Sequence, residues 1–104
     1  MFSSQSRYVT KGIIETIGSD IQNALWSIID QDQNEGKVLD YLQVFSLTIV
    51  HADGQVYQGI RQKQEQPVRK QKYTILGIKE PLSDITVWIV DSGDYWTMLL
   101  PNEY

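Results

Sequence analysis

The amino-acid sequence predicts an α+β domain in which one amphipathic helix packs on a curved, mostly antiparallel sheet of about six strands, ordered β-α-β-β-β-β-β. Three observations carry this. Val, Ile and Thr recur along most of the chain while Ala is scarce, and β-branched side chains pack well on a pleated surface. One window alone, opening at Ser19, has the spacing of a helix. Two turn signals, Ala52-Asp53-Gly54 and Asp91-Ser92-Gly93-Asp94, separate strand-like runs.

Taken in order, residues 7–17 (RYVTKGIIETI) are dense in β-branched residues and read as a strand, with Gly12 as a bulge or bend. Ser19 is a helix cap with Gln22 three residues on, as in a capping box, and Asp20 suits the positive end of the helix dipole. Ile21, Ala24, Leu25, Ile28 and Ile29 then form one apolar stripe, with Asn23, Ser27 and Asp30 opposite. The helix frays through residues 31–35 and stops by Gly36, a residue suited to the left-handed conformation that follows many helices. Residues 40–51 and 55–63 are strands joined by the Asp53-Gly54 hairpin, whose turn positions need positive φ. A further strand covers 72–76, between Pro67 and a loop at 77–83, and the last hairpin pairs 85–90 with 95–100.

The chain has 104 residues and no Cys, with a formal charge of −4. That is one domain, 1–104, large enough to bury roughly two-thirds of the surface its unfolded chain exposes and to fold without disulfides or metal. Without Cys there is no thiol catalysis, zinc-finger site or iron–sulfur ligation, and a single His cannot make a two-His metal site. No cofactor is expected. Wholly apolar runs such as Val87-Trp88-Ile89-Val90 are far short of a membrane span. The start, Met1 to Arg7, has no basic-then-apolar pattern of a secretory signal, so a cytoplasmic protein is expected.

Alternation along the strands raises the functional question. Phe45, Leu47 and Ile49 share one face, yet Leu42, Val44 and Val50 are apolar on the other; Val87 and Ile89 oppose Trp88 and Val90, and Trp96 and Met98 oppose Tyr95 and Leu99. One helix covers one face. Either the sheet curls round a second core, as a partial barrel does, or another chain buries the second face. Trp88 and Trp96 are candidate interface residues on that account, and Trp26 is a third because it sits at the edge of the helical stripe. Each also has an ordinary reading as core or sheet-margin packing.

From residue 61 to 72 (RQKQEQPVRKQK), Arg61, Lys63, Arg69, Lys70 and Lys72 stand against Glu65 alone. The segment is formally +4 and the rest of the chain is therefore −8. Such a stretch can contact phosphates or an acidic partner. No aromatic residue interrupts it to stack bases and no nucleic-acid motif is present, so a solvated, aggregation-deterring edge strand is the plainer account. His51 beside Asp53 could transfer a proton, but nothing supplies a nucleophile. Asp91 and Asp94 flank a turn whose chemistry explains them without a metal.

Several strings resemble a small family of Gram-positive bacterial proteins, domain of unknown function 960. They are Arg7-Tyr8-Val9-Thr10 with Gly12, Leu25-Trp26 with Ile29-Asp30, residues 40–45 (DYLQVF), Gln64-Glu65-Gln66-Pro67, and Thr97-Met98-Leu99-Leu100 before Glu103-Tyr104. The resemblance spans almost the whole chain in the same order and implies a stand-alone intracellular bacterial protein. It brings no catalytic or ligand residues. The expectation is a non-enzymatic protein-interaction module, as a homodimer or with another protein. The alternative is nucleic-acid or acidic-partner binding through the 61–72 segment.

Overall fold

The computed structural model describes residues 6–104; the string 1–5, which enters the reading for a secretory signal, lies outside the described residues. The elements are β1 (Ser6–Val9), α1 (Lys11–Thr16), α2 (Ser19–Asn34), β2 (Leu42–Ala52), β3 (Gln55–Glu65), β4 (Val68–Ile75), β5 (Ile85–Asp91) and β6 (Tyr95–Leu99), followed by a 3-10 turn at Pro101–Glu103. Six strands form one sheet in the order β1-β6-β5-β2-β3-β4. The β1–β6 pair is parallel and the other pairs are antiparallel. This is the expected α+β class, with the main helix laid on a curved sheet.

Residues 7–17 depart from the expected strand. After four strand residues, Thr10 takes an extended backbone and its hydroxyl accepts from the Ile13 amide, which starts α1. Ile13, Ile17, Ile21 and Leu25 then fall at four-residue intervals, and all are buried. Burial of that continuous stripe outweighs the weak strand preference of isoleucine and threonine. Gly12 sits inside α1, where a Cβ would come within 2.6 Å of a Glu103 carboxylate oxygen.

The main helix is capped by the Gly18 backbone and not by the Ser19 side chain. Gln22 is used differently as well, donating from its side chain to the Ile17 carbonyl at 2.7 Å. Gly36 ends the helix in the left-handed region at φ 72°. The Lys37 amide then donates back to the Asp32 carbonyl at 3.0 Å. The β2–β3 hairpin turns on Asp53 and Gly54, both with positive φ, as the sequence pattern requires. The β4 strand is longer than expected because Glu65-Gln66-Pro67-Val68 forms a tight turn and pairing resumes at once.

One core lies between the helices and one sheet face. Its members include Ile13, Ile17, Leu25 and Ile29 from the helices, and Phe45, Leu47, Ile60, Val87, Ile89 and Met98 from the strands. The sheet does not close: β1 and β4 are its two edges. Closure of the second face into a barrel, the first of the two sequence-based options, is therefore not what the described residues form.

Candidate functional site

Side chains alternate across a strand, so registered partners share a face. On the face away from the helices, one row runs Leu99, Trp88, Val44, Lys63, Lys70 across β6, β5, β2, β3 and β4. The next runs Thr86, Ser46, Arg61, Lys72. A third joins Tyr8, Thr97, Val90 and Leu42. The face is thus aromatic and aliphatic over β1, β6 and β5 and cationic over β3 and β4.

Within the apolar half, Tyr8 and Tyr95 meet edge to face with ring centroids 5.6 Å apart, and Trp88 meets Tyr104 in the same way at 5.6 Å. Val90 and Leu99 are buried among these neighbours, whereas Tyr8 is 55% exposed and Trp88 is half-buried. Over the cationic half lies a concave pocket of about 610 Å³ lined by Arg61, Lys63, Lys70 and Lys72 together with Ser46 and Gln71.

The three tryptophans do not share this surface. Trp88 is on it. Trp96 points the other way, into the core, and is 3% exposed, because its registered neighbours Arg7 and Asp91 also belong to the helix-side face. It is unavailable as an interface residue. Trp26 is half-buried on α2 with the Arg7 guanidinium 4.8 Å from its ring centroid, and Arg7 is ion-paired with Asp30. Trp26 therefore belongs to a clasp between β1 and α2.

The basic segment divides in the same manner. Arg61, Lys63, Lys70 and Lys72 project from the uncovered face, and Arg69 projects from the covered one. There its Nη2 donates to the Asp32 carboxylate at 2.9 Å, and Asp32 is 1% exposed. Arg69 anchors the helix to the β3–β4 hairpin, so it is not a member of the cationic array.

Asp32 heads a buried polar network that the sequence reading passed over. Gln62 donates to Asp32 at 3.0 Å and to Gln43 at 2.8 Å, and Gln43 donates to Gln64 at 2.7 Å. Gln64 donates to the Val38 and Pro67 carbonyls. Asp40 accepts from the Glu65 and Gln66 amides and so holds the β3–β4 turn. The Tyr73 hydroxyl donates to Gln62, and burial raises its pKa above the ordinary phenol value, assisted by the Asp32 charge. Two of the strings that carry the family resemblance, 40–45 and 64–67, thus meet in space.

His51 and Asp53 are exposed at the tip of the β2–β3 hairpin, and none of the concave pockets described is lined by either. Asp91 accepts from the Gly93 amide at 2.8 Å, which is turn chemistry. No group of three or more potential metal ligands occurs among the described residues. Nor is any helix among them long and apolar enough to cross a membrane. Glu103 is engaged structurally: it accepts from the Thr10 hydroxyl, from the Gly12 amide at 3.0 Å and from the Leu100 amide at 2.9 Å. The Thr10 contact foremost, with the two amides, holds its carboxyl below the ordinary carboxylate value.

Comparison with known proteins adds family and fold. A family model described as "Staphylococcal protein of unknown function (DUF960)" matches residues 6–103. A crystal structure of a protein of unknown function from Enterococcus faecalis is similar at 26% identity and a TM-score of 0.78. The match covers 100% of this chain and 98% of that one. Among curated proteins none matches.

Proposed function

The chain belongs to the DUF960 family, a family of unknown function, and we propose that it is a non-enzymatic protein-interaction module whose working surface is the sheet face opposite α1 and α2. The observation that carries this is the layering. Both α-helices contribute to the core on one face, while the other holds Trp88, Val44, Leu42, Tyr8 and Tyr95 beside four cations, with Tyr104 against Trp88. Apolar surface rimmed by charge is the composition of a docking surface. The setting proposed is the cytoplasm of a Gram-positive bacterium, in line with the family's staphylococcal description.

Site-specific photo-crosslinking in the bacterium tests the reading. A photoreactive residue replacing Thr86, exposed on the uncovered face, is expected to give discrete protein adducts; one replacing Asn23, exposed on α2, is not. An adduct of twice the chain mass identifies a second copy as the occupant. Equal labelling from both positions, or none from Thr86, overturns the proposal.

A further inference from the structure

Arg61 stands opposite Lys72, and Lys63 opposite Lys70. The four cations therefore form a two-by-two array, about 5 Å across the strands and about 7 Å along them. Like charges directly opposite each other destabilise a sheet. Charges that deter edge pairing are needed on the edge strand, and that strand is β4. Arg61 and Lys63 lie on β3, which has β2 on one side and β4 on the other, so edge protection leaves them unexplained.

Nor do the described residues pair with them. The ion pairs among the described residues join Arg7 to Asp30, Lys11 to Glu15, Lys37 to Asp32 and Glu35, and Arg69 to Asp32. Glu65, two residues beyond Lys63 on the same face, makes no ion pair among the described residues. The array also frames a hollow, since Ser46 is the short side chain in the row of Arg61 and Lys72.

Resting on the docking reading above, we infer that the array receives an acidic, extended segment of a protein partner, with carboxylates at alternate positions. In an extended chain, alternate side chains repeat at the spacing that separates Arg61 from Lys63. Each carboxylate then lies between one cross-strand pair, where charge-assisted hydrogen bonds reward it. Along the same row, Val44 and Trp88 offer the partner an apolar contact. A single-stranded nucleic acid fits less well. Its binding tracks run for about 4–16 nucleotides, whereas this array ends after two residues on each strand and the chain outside 61–72 carries −8.

Calorimetric titration of the full chain decides the matter. The probes are a peptide alternating Glu and Thr, its Gln-for-Glu counterpart, oligothymidylate and inorganic phosphate. The Glu/Thr peptide is expected to bind, more tightly at low salt, and to lose about tenfold in affinity in a K63Q/K70Q variant whose melting temperature is no lower than the parent's. The Gln counterpart is expected not to bind. Binding of oligothymidylate or of phosphate in place of the peptide overturns the inference, as does a peptide affinity indifferent to K63Q/K70Q. Thr86 adducts that persist in K63Q/K70Q retain the docking face and remove the acidic segment, whereas loss of the Thr86 adducts from the unsubstituted background removes the face itself.

Discussion

The Asp32 carboxylate receives Arg69 and Gln62 and faces the Lys37 ammonium at 3.6 Å while almost wholly out of water. Removing one member of a buried pair strands the other, so Asp32→Ala is expected to cost about 3–5 kcal/mol in urea unfolding; a loss under about 1 kcal/mol would show that water reaches Arg69 freely. Arg69 has little slack, because its Nε and Nη1 are buried with no hydrogen-bond partner among the described residues. Glu103 supplies a pH dependence. Its folded-state pKa lies below the ordinary value, so its contribution is complete above the unfolded pKa of about 4.3 and is lost as pH falls through the folded one. Protection of the Gly12 and Leu100 amides, taken against the intrinsic exchange rate at each pH, should fall below about pH 4 and lose that acid dependence in Glu103→Gln; an unaltered pH profile in the variant would locate the effect in another carboxylate. These roles were only partly legible beforehand. Buried glutamines break the apolar alternation by which a covered strand face is recognised, so nothing in the pattern marks Gln43, Gln62 and Gln64 as buried. Arg69 and Lys70 read as one basic run because the sequence pattern starts the strand at residue 72, and neighbouring residues take opposite faces only where both lie in a strand.

At the scale of elements, the best-read features are those with local determinants: the Asp53-Gly54 hairpin, the stripe from Ile21 to Ile29 and the stop at Gly36. The poorly read ones depend on distant partners. Thr10, Gly12 and Glu103 assemble the start of α1 from opposite ends of the described chain, and no window over 7–17 contains that information. The connection between β4 and β5 is another such case. Gln58, buried in β3, accepts from the Leu82 amide at 2.7 Å and donates to the Leu82 carbonyl at 3.0 Å, with further bonds to the Thr48 and Gly59 carbonyls. One side chain thereby acts as a strand for a loop that has none, drawing Ile78 and Leu82 against the core. Gln58→Ala leaves buried backbone groups unmatched and is expected to cost about 1–3 kcal/mol, with the Leu82 amide exchanging faster while the Phe45 and Ile60 amides stay protected. Uniform acceleration across all three would mean that the loop and sheet open as one unit.

For the whole molecule, the surplus of apolar strand surface was visible in the sequence, but its distribution was not. The parallel pairing of β1 with β6 joins the two ends of the described chain, and that pairing settles which strands are edges and that the sheet stays open. An open sheet with helices on one side makes Trp88 and Trp96 unequal, although eight residues apart they have the same parity and differ only because the turn between them reverses it. Trp96 is 3% exposed within the helix-side core. Glutamate there forfeits the burial of a large aromatic, about 3–5 kcal/mol, and takes a carboxylate out of water beside Asp91, so Trp96→Glu is expected to abolish the cooperative unfolding transition. Trp88 is half-buried on the uncovered face against the Tyr104 ring. Glutamate there reaches water, so Trp88→Glu is expected to keep the far-ultraviolet circular dichroism of the parent, at a cost of about 1 kcal/mol, while suppressing adducts at Thr86. Folded Trp96→Glu together with unfolded Trp88→Glu would invert the two faces. Intact adducts in folded Trp88→Glu would leave the cationic rows to hold the partner unaided.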